Sequence, residues 1–322
     1  MPPVYLNHLL IFLDAETYRS IGASGFLNGH FACSEERTTH DQATDMSWTG
    51  RYYYGRETYF EFMDPGRTSW APRDAIAFGI EREGGSEDLA GRLERALKRD
   101  ITRFKRKRRY RDQDIPWFWT VDIPRKEDAR LISWVMEYDP WFLDRWAPDL
   151  PPGMPRAGTD RIARSGFLTR YRSAIGDDLP GRLFRDITSV TVTLPPEEAD
   201  LLEAELEVYG YVSTELAVSE DSRRGNADPG EDGEVGVEPT ASLEQKKYHG
   251  PDIEIVVERI NPYDVGAKSG HVGAVAGIGG ITEFSMETQP VSVTTTHIFS
   301  PECRLIVEKS GTATWSFGHN HK

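Results

Sequence analysis

Cysteine is nearly absent from this sequence, with only Cys33 and Cys303 in 322 residues. No CxxC or HExxH pattern occurs either, which argues against a disulfide-built scaffold, a zinc finger and a zincin, although one Cys33–Cys303 disulfide stays open. No apolar run approaches the roughly 20 residues that span a bilayer. The first residues, Met1 to Tyr5, lack the basic and apolar regions of a signal peptide. We therefore expect a cytoplasmic protein with reduced thiols.

Positive charge is also in short supply. Lys and Arg number 38 against 52 Asp and Glu, a formal net charge of −14. Such a charge repels polyanions, so neither nucleic acid nor an anionic membrane is an expected partner. The one dense basic run, 98–111, could suggest nucleic-acid binding or a nuclear signal, but at the exit of an amphipathic helix it is interpreted as a solvated face paired with acidic neighbours. The expected partners are a small-molecule substrate or ligand and, as one option, a second copy in a homodimer.

Two strand-like segments at the ends of the stretch Asn7 to Pro65 organise the N-terminal part. Each carries one polar side chain with metal-binding capacity inside an apolar or aromatic run: His8 in the first and Glu61 in the second. Ile, Phe, Tyr and Leu favour half-buried sheet, where an imidazole or carboxylate must find a partner. Between them we predict a helix capped by Asp14 and two more strands. The predicted order is strand, helix, strand, strand, strand.

The same order follows once more along the chain. A strand at 74–81 precedes a helix that Ser86 is predicted to cap and whose leucines recur every four residues; two later strands cover 116–122 and 131–140. The last strands of both units share an apolar-Glu-aromatic step that soon ends in Asp-Pro, with Glu61 in one and Glu137 in the other. This predicts an internal repeat, although two short matches can also arise by chance.

The remaining sequence predicts a linker and a third unit. Residues 151–186 are irregular and rich in Pro, Arg and Asp, and 187–322 start with an alternating strand and a helix opened by Pro195-Pro196 and closed by Gly210. Within this unit, the acidic, Gly-rich residues 219–250 are expected to be a flexible insertion. The predicted fold class is α+β with mainly antiparallel sheet: paired modules at 1–66 and 67–150, the linker, and a third, partly irregular module.

This pattern resembles the βαβββ modules of the vicinal oxygen chelate (glyoxalase-like) superfamily. The resemblance implies curled sheets around a cleft and a divalent metal, Zn, Fe, Mn or Ni, held by a first-strand His or Glu and a last-strand Glu of each module. His8, Glu61 and Glu137 match three of those positions. The fourth is a departure, since the strand at 74–81 offers only Ala75, Ile76 or Ala77.

A narrower resemblance links the chain to an uncharacterised bacterial glyoxalase-like family. It is carried by Asn7-His8-Leu9-Leu10, Glu36-Arg37-Thr38-Thr39 and Trp48-Thr49-Gly50 through Tyr59-Phe60-Glu61, and weakly by Phe299 to Leu305. This resemblance implies the fold and leaves the activity open.

The candidate site residues have both functional and structural interpretations. His8, Glu61 and Glu137 are candidate metal ligands, and His8 and Glu61 are candidate catalytic groups; alternatively His8 is a buried core histidine and Glu61 a buried partner of Arg37 or Arg51. If no metal binds, Glu61 can act as a base. Candidate substrate-binding residues are Arg37, Thr39, Trp48, Tyr53 and Tyr59, because a guanidinium fork matches an anion and aromatic strands can line a cleft.

Three functions compete at this stage. The leading hypothesis is a metal-dependent lyase, isomerase or dioxygenase acting on a small oxygen-rich or carbonyl-bearing molecule. The alternative is a metal-free protein that binds or sequesters a small molecule in the same cleft. A third interpretation is a structural protein in which His8 and Glu61 are merely buried partners.

Overall fold

The computed structural model describes most of the chain as two eight-stranded sheets. The described ranges are 2–41, 45–110, 113–145, 162–176, 179–215, 244–260 and 280–318. We call the two sheets sheet A and sheet B. Within these ranges no helix is long and apolar enough to cross a bilayer.

Sheet A is built from two βαβββ modules. The first contains β1 (Tyr5–Phe12), α1 (Ala15–Gly22), β2 (Cys33–Asp41), β3 (Met46–Tyr54) and β4 (Tyr59–Thr68), with a π-helical turn at Leu27–Phe31 before β2. The second contains β5 (Asp74–Gly79), α2 (Gly85–Leu97), β6 (Thr102–Tyr110), β7 (Gln113–Asp122) and β8 (Leu131–Tyr138). As predicted, Asp14 caps α1, since its carboxylate accepts from the backbone N–H groups of Glu16 and Thr17.

The strand order of sheet A joins the two modules through their first strands. It runs β2-β3-β4-β1-β5-β8-β7-β6. In each module the first and last strands are parallel, β1 with β4 and β5 with β8, and β1 meets β5 antiparallel. A helix between the first and second strands permits that parallel pairing, because it carries the chain back across the sheet. The predicted α+β fold of repeated βαβββ modules is confirmed.

Sheet B repeats the order with one difference. Its elements are β9 (Phe184–Leu194), α5 (Pro196–Tyr209), β10 (Val212–Glu215), β11 (Glu244–His249), β12 (Glu254–Arg259), β13 (Ile281–Thr288), β14 (Thr295–Ser300), β15 (Cys303–Val307) and β16 (Thr312–Phe317). The parallel pair β9–β12 is again separated by a helix. In contrast, β13 to β16 follow one another without an intervening helix, and β13 therefore pairs antiparallel with β16.

Two stretches predicted to be irregular contain regular structure. Within the predicted linker, α4 (Arg164–Ile175) follows the described part of α3 (Pro140–Arg145). α4 buries Phe167, Leu168 and Tyr171, three apolar positions that the dense Arg and Pro content of the linker masked. The predicted flexible insertion 219–250 lies outside the described residues up to 243, and its final residues form β11.

The main core lies between the two sheets. Side chains alternate across each strand, so one face of sheet A packs on one face of sheet B. Phe60 lies 5.1 Å from Phe284 and Phe62 lies 4.9 Å from Trp315, measured between ring centroids, and all four are fully buried. The opposite face of sheet A is left to curl around a cavity.

Candidate functional site

A cavity of about 470 Å³ occupies the curled face of sheet A. Aromatic side chains from strands of both modules, from the segment between β4 and β5 and from α4 form much of its wall: Trp48, Tyr52, Tyr54, Tyr59, Trp70, Trp117, Phe118, Trp134, Phe167 and Tyr171. A concave, largely apolar site of a few hundred Å³ suits a small organic ligand.

His8 enters this cavity from β1. The pairing of β1 with β5 shifts register between Leu6 and His8, and such a bulge re-aims neighbouring side chains. The imidazole stacks on Tyr59 at 4.3 Å and meets Trp134 edge-on at 5.6 Å, centroid to centroid. His8 Nδ1 lies 2.9 Å from Asn7 Oδ1, an amide oxygen that accepts a hydrogen bond when Nδ1 carries a proton. His8 Nε2 is thereby directed to a different partner.

That partner is Glu61 on β4. Glu61 Oε1 lies 3.4 Å from His8 Nε2, and both side chains are 4% exposed. The other oxygen, Oε2, is buried and has no hydrogen-bond partner among the described residues. A buried carboxylate oxygen without a donor is costly, so a bound molecule or water is needed there. The sequence-predicted convergence of His8 and Glu61 is therefore found.

The donor set does not fit the metal that the resemblance implies. His8 pairs with Ala77 on β5, and Ala77 pairs with Trp134 on β8. Neither of these side chains can bind a metal. In the described part of the chain, no group of three His, Cys, Asp or Glu side chains could hold a metal ion. Catalytic zinc sites use three protein ligands, and His8 with Glu61 supplies two.

Glu137 is a correction to the predicted ligand set. It points to the face of β8 opposite the cavity, toward the N-terminus of α2. Its two carboxylate oxygens accept from the backbone N–H groups of Gly84 at 2.8 Å and Ser86 at 2.7 Å. The α2 cap position is occupied by Gly84 with φ 77°, not by the predicted Ser86, and the carboxylate satisfies the first free donors of the helix.

Four of the five predicted substrate-binding residues line the cavity: Arg37, Thr39, Trp48 and Tyr59. Tyr53 does not, because it lies on the other face of β3, where its ring stacks on Phe60 at 4.9 Å. The cavity-facing tyrosines are its neighbours Tyr52 and Tyr54, and a shift of one residue reverses the face. The predicted partnership of Glu61 with Arg37 or Arg51 is also not formed, since Arg51 pairs with Glu36.

Several cavity residues escaped the sequence reasoning. Arg106, Lys107 and Arg108 belong to the basic run that is predicted to form a solvated face, yet all three line the cavity. Tyr171 comes from α4, within the predicted linker. A register shift between Arg106 and Lys107 interrupts the period-two alternation of β6, so no local pattern identifies which of these side chains face the cavity.

Residues 6–222 match the family model described as a family of unknown function (DUF5829). The chain belongs to this family. No curated protein matches the sequence.

Two solved structures resemble this DUF5829 chain at low identity. One is a xylose isomerase-like TIM barrel/4-hydroxyphenylpyruvate dioxygenase fusion protein, with 10% identity and a TM-score of 0.40, covering 88% of this chain and 36% of that one. The other is a mutant of 4-hydroxymandelate synthase from Streptomyces coelicolor, with 14% identity and a TM-score of 0.34, covering 80% of this chain and 63% of that one. The chain thus spans less than two thirds of either protein.

The cavity of this DUF5829 member is positively charged although the chain is acidic. Among the described residues, six cationic side chains line it against three carboxylates. The cations are Arg37, Arg73, Arg106, Lys107, Arg108 and Arg125, and the carboxylates are Asp41, Glu61 and Asp122. The Arg106–Asp41 ion pair, at 2.7 Å, joins the edge strands β6 and β2 across the curl. Arg125 also has a carboxylate partner, since its Nη2 lies 2.5 Å from Glu205 Oε1 outside the cavity lining. The other cationic side chains favour an anionic ligand or a reaction that develops negative charge.

Proposed function

We propose that this protein is an isomerase or lyase of glyoxalase-like fold that removes a proton adjacent to a carbonyl group of a small molecule bound in the cavity. The observation that carries the proposal is the Asn7–His8–Glu61 arrangement with Glu61 Oε2 buried and without a partner in the described chain. An oriented imidazole beside a carboxylate is the geometry expected of a positioned proton acceptor.

Each group has a role in this proposal. Glu61 Oε2 accepts the proton from carbon, and the electron pair of the broken C–H bond moves toward the carbonyl oxygen. The His8 ring, held by the Nδ1 contact to Asn7, lies 3.4 Å from Oε1 and limits the orientations open to the carboxylate. The excess of cationic side chains around the cavity counters the negative charge on that oxygen. Return of the proton at another carbon gives an isomerase, and loss of a leaving group gives a lyase.

No step is routed through a metal, because two donors do not make a resident site. Metal dependence remains a prediction of the sequence resemblance and is tested separately. Protein purified without a His-tag and dialysed is expected to contain well below one equivalent of Zn, Fe, Mn or Ni. One retained equivalent that is lost in both His8→Gln and Glu61→Gln would restore the metal-dependent hypothesis.

The decisive experiment follows deuterium exchange in heavy water by NMR over a panel of aldehydes, ketones and 2-oxo acids. At least one compound is expected to exchange the proton beside its carbonyl faster with the protein, and Glu61→Gln is expected to slow this by about 100-fold or more. Glu283→Gln, a partly buried carboxylate of sheet B outside the cavity, is the matched control. Exchange that survives Glu61→Gln would refute the role of Glu61.

A second candidate function, metal-free binding without chemistry, is favoured by the aromatic enclosure of the His8 ring. Tyr59 covers one face of the imidazole and Trp134 contacts it edge-on. A compound that binds stoichiometrically, with no exchange in any member of the panel, would select this function over the enzyme.

A further inference from the structure

Two guanidinium groups from opposite edges of sheet A meet at the α4 end of the cavity. Arg37 on β2 and Arg108 on β6 both lie over the ring of Tyr171, with Cζ to centroid distances of 5.1 and 5.8 Å. Burial, followed by the charge of Arg37, lowers the pKa of Arg108 to about 10. Two buried positive charges repel each other, and a ligand anion near both groups would offset that repulsion.

Arg37 bonds to the Tyr52 hydroxyl, but two of its nitrogens have no acceptor in the described chain. Its Nε and Nη1 atoms are buried without a hydrogen-bond acceptor in those residues. Glu35 Oε1 lies 3.4 Å from Nη1, within ion-pair range but without hydrogen-bond geometry, and it already accepts from the Tyr54 hydroxyl at 2.8 Å. Buried donors of a charged group are normally satisfied, so a missing acceptor indicates a ligand oxygen.

The surroundings indicate what that oxygen belongs to. The Arg37 guanidinium lies over Tyr52 at 4.4 Å, and that of Arg108 lies over Trp117 at 5.3 Å. Tyr52 leads from Arg37 toward Glu61, because it is the register partner of Glu61 on the adjacent strand. A molecule with an anionic group at one end and a planar apolar body would therefore find matching chemistry along its length.

We infer that Arg37 and Arg108 form a carboxylate-binding subsite that anchors an organic acid with a planar, apolar body, so that the rest of the molecule extends toward Glu61. This inference rests on the proposed function only in requiring that the cavity take up a small molecule. It adds the substrate class and assigns a positioning role to β6 and α4, neither of which belongs to the His8–Glu61 pair.

The test is a fluorescence titration of the full chain, which uses the cavity tryptophans Trp48, Trp117 and Trp134 as reporters. The probes are benzoate, phenylacetate and 2-naphthoate, their primary amides, and inorganic phosphate. At least one acid is expected to bind about tenfold or more tightly than its amide. Arg37→Met and Arg108→Met are each expected to remove that preference, while Arg304→Met, an exposed arginine on sheet B, leaves it unchanged.

A further variant distinguishes loss of the planar guanidinium donors of Arg37 from loss of folding. Arg37→Lys keeps the charge but not the planar donors, and it is expected to bind the acid with intermediate affinity and to melt within a few degrees of the parent protein. Equal affinity for acid and amide, binding of phosphate alone, binding by no acid of the panel, or undiminished binding by Arg37→Met would each overturn the inference.

The outcomes of this titration are distinct from those of the exchange experiment. Arginine-dependent binding of an acid that shows no deuterium exchange would leave the subsite standing and remove the proposed reaction. Deuterium exchange that depends on Glu61 and not on Arg37 would support the proposed reaction and remove the subsite. Glu61→Gln is expected to retain the acid-over-amide preference, because the subsite is formed by other strands.

Discussion

Sheets A and B share one strand order, but their free faces differ in chemistry. The free face of sheet A carries His8, Glu61 and aromatic side chains around a cavity. The corresponding face of sheet B carries Thr, Ser and Glu side chains that bond one another: Thr193 to Glu258 at 2.7 Å, Glu283 to Ser316 at 3.1 Å. In this part of sheet B the polar groups satisfy each other, whereas Glu61 Oε2, Thr39 Oγ1 and two Arg37 nitrogens in sheet A have no described partner.

The difference shows that topology alone does not create a site. A βαβββ pair supplies a curved surface, and the side chains on that surface decide whether it binds anything. A self-satisfied polar face has no free energy to gain from a ligand, while orphaned buried groups in an aromatic enclosure do. Sheet A therefore has buried polar groups that a ligand could satisfy, the polar groups described on sheet B satisfy one another, and the apolar faces of the two sheets pack together.

The largest effect is expected from breaking the seam between the sheets. Phe60 is fully buried and contacts Phe284 and Trp315 of sheet B. Phe60→Ala is expected to lower the free energy of unfolding by about 3–5 kcal/mol, because the cavity it leaves adds to the lost burial. Thr314→Ala on the free face of sheet B is expected to change it by less than about 0.5 kcal/mol. Similar losses in both variants, measured by urea unfolding, would contradict the assignment of faces.

The seam is also expected to respond to pH. Asp74 is fully buried and accepts from the backbone N–H of Phe12 in sheet A, at 2.9 Å, and of Ile281 in sheet B, at 3.1 Å. Burial raises its pKa to about 7, although both hydrogen bonds oppose the shift. The folded state therefore retains a proton that the unfolded chain releases near pH 4, and stability falls as pH rises from about 4 to about 7.

Replacement of that carboxyl should flatten this dependence. Between pH 5 and pH 8, Asp74→Asn is expected to lose about 2 kcal/mol less unfolding free energy than the parent protein. Part of the slope should remain, because burial also raises the pKa of Glu205 to about 7. The exposed carboxylate variant Asp128→Asn should keep the parent slope. Parallel urea-unfolding curves for the parent and Asp74→Asn at both pH values would disprove the contribution of Asp74.

The sequence predicts the site residues that local pattern and family resemblance indicate, and it does not predict those that depend on contacts between segments far apart in the chain. The convergence of His8 and Glu61 was predicted from the resemblance to βαβββ modules, and the structure agrees, since their neighbours Leu9, Phe60 and Phe62 face the other sheet. The prediction that Tyr53 faces the cavity was wrong by one residue. Within a run of three tyrosines, the local sequence does not show which side chains face which side of the sheet. Arg108 and Tyr171 reach the cavity only through long-range packing of an edge strand and α4, and no local pattern in the predicted linker indicates where that helix docks.

The smallest effect distinguishes the two glutamates that the internal repeat made look alike. Glu137→Gln replaces one of two carboxylate acceptors at the start of α2 and is expected to cost about 1 kcal/mol of unfolding free energy, with deuterium exchange and acid binding unchanged. Glu61→Gln is expected to show the opposite pattern, loss of exchange with little loss of stability, because its Oε2 has no partner to lose within the described chain. Both variants alter one carboxylate on the last strand of a module, so the contrast isolates the face that each side chain occupies. If Glu137→Gln abolished exchange, the carboxylate would act in the cavity and the placement of β8 would be wrong.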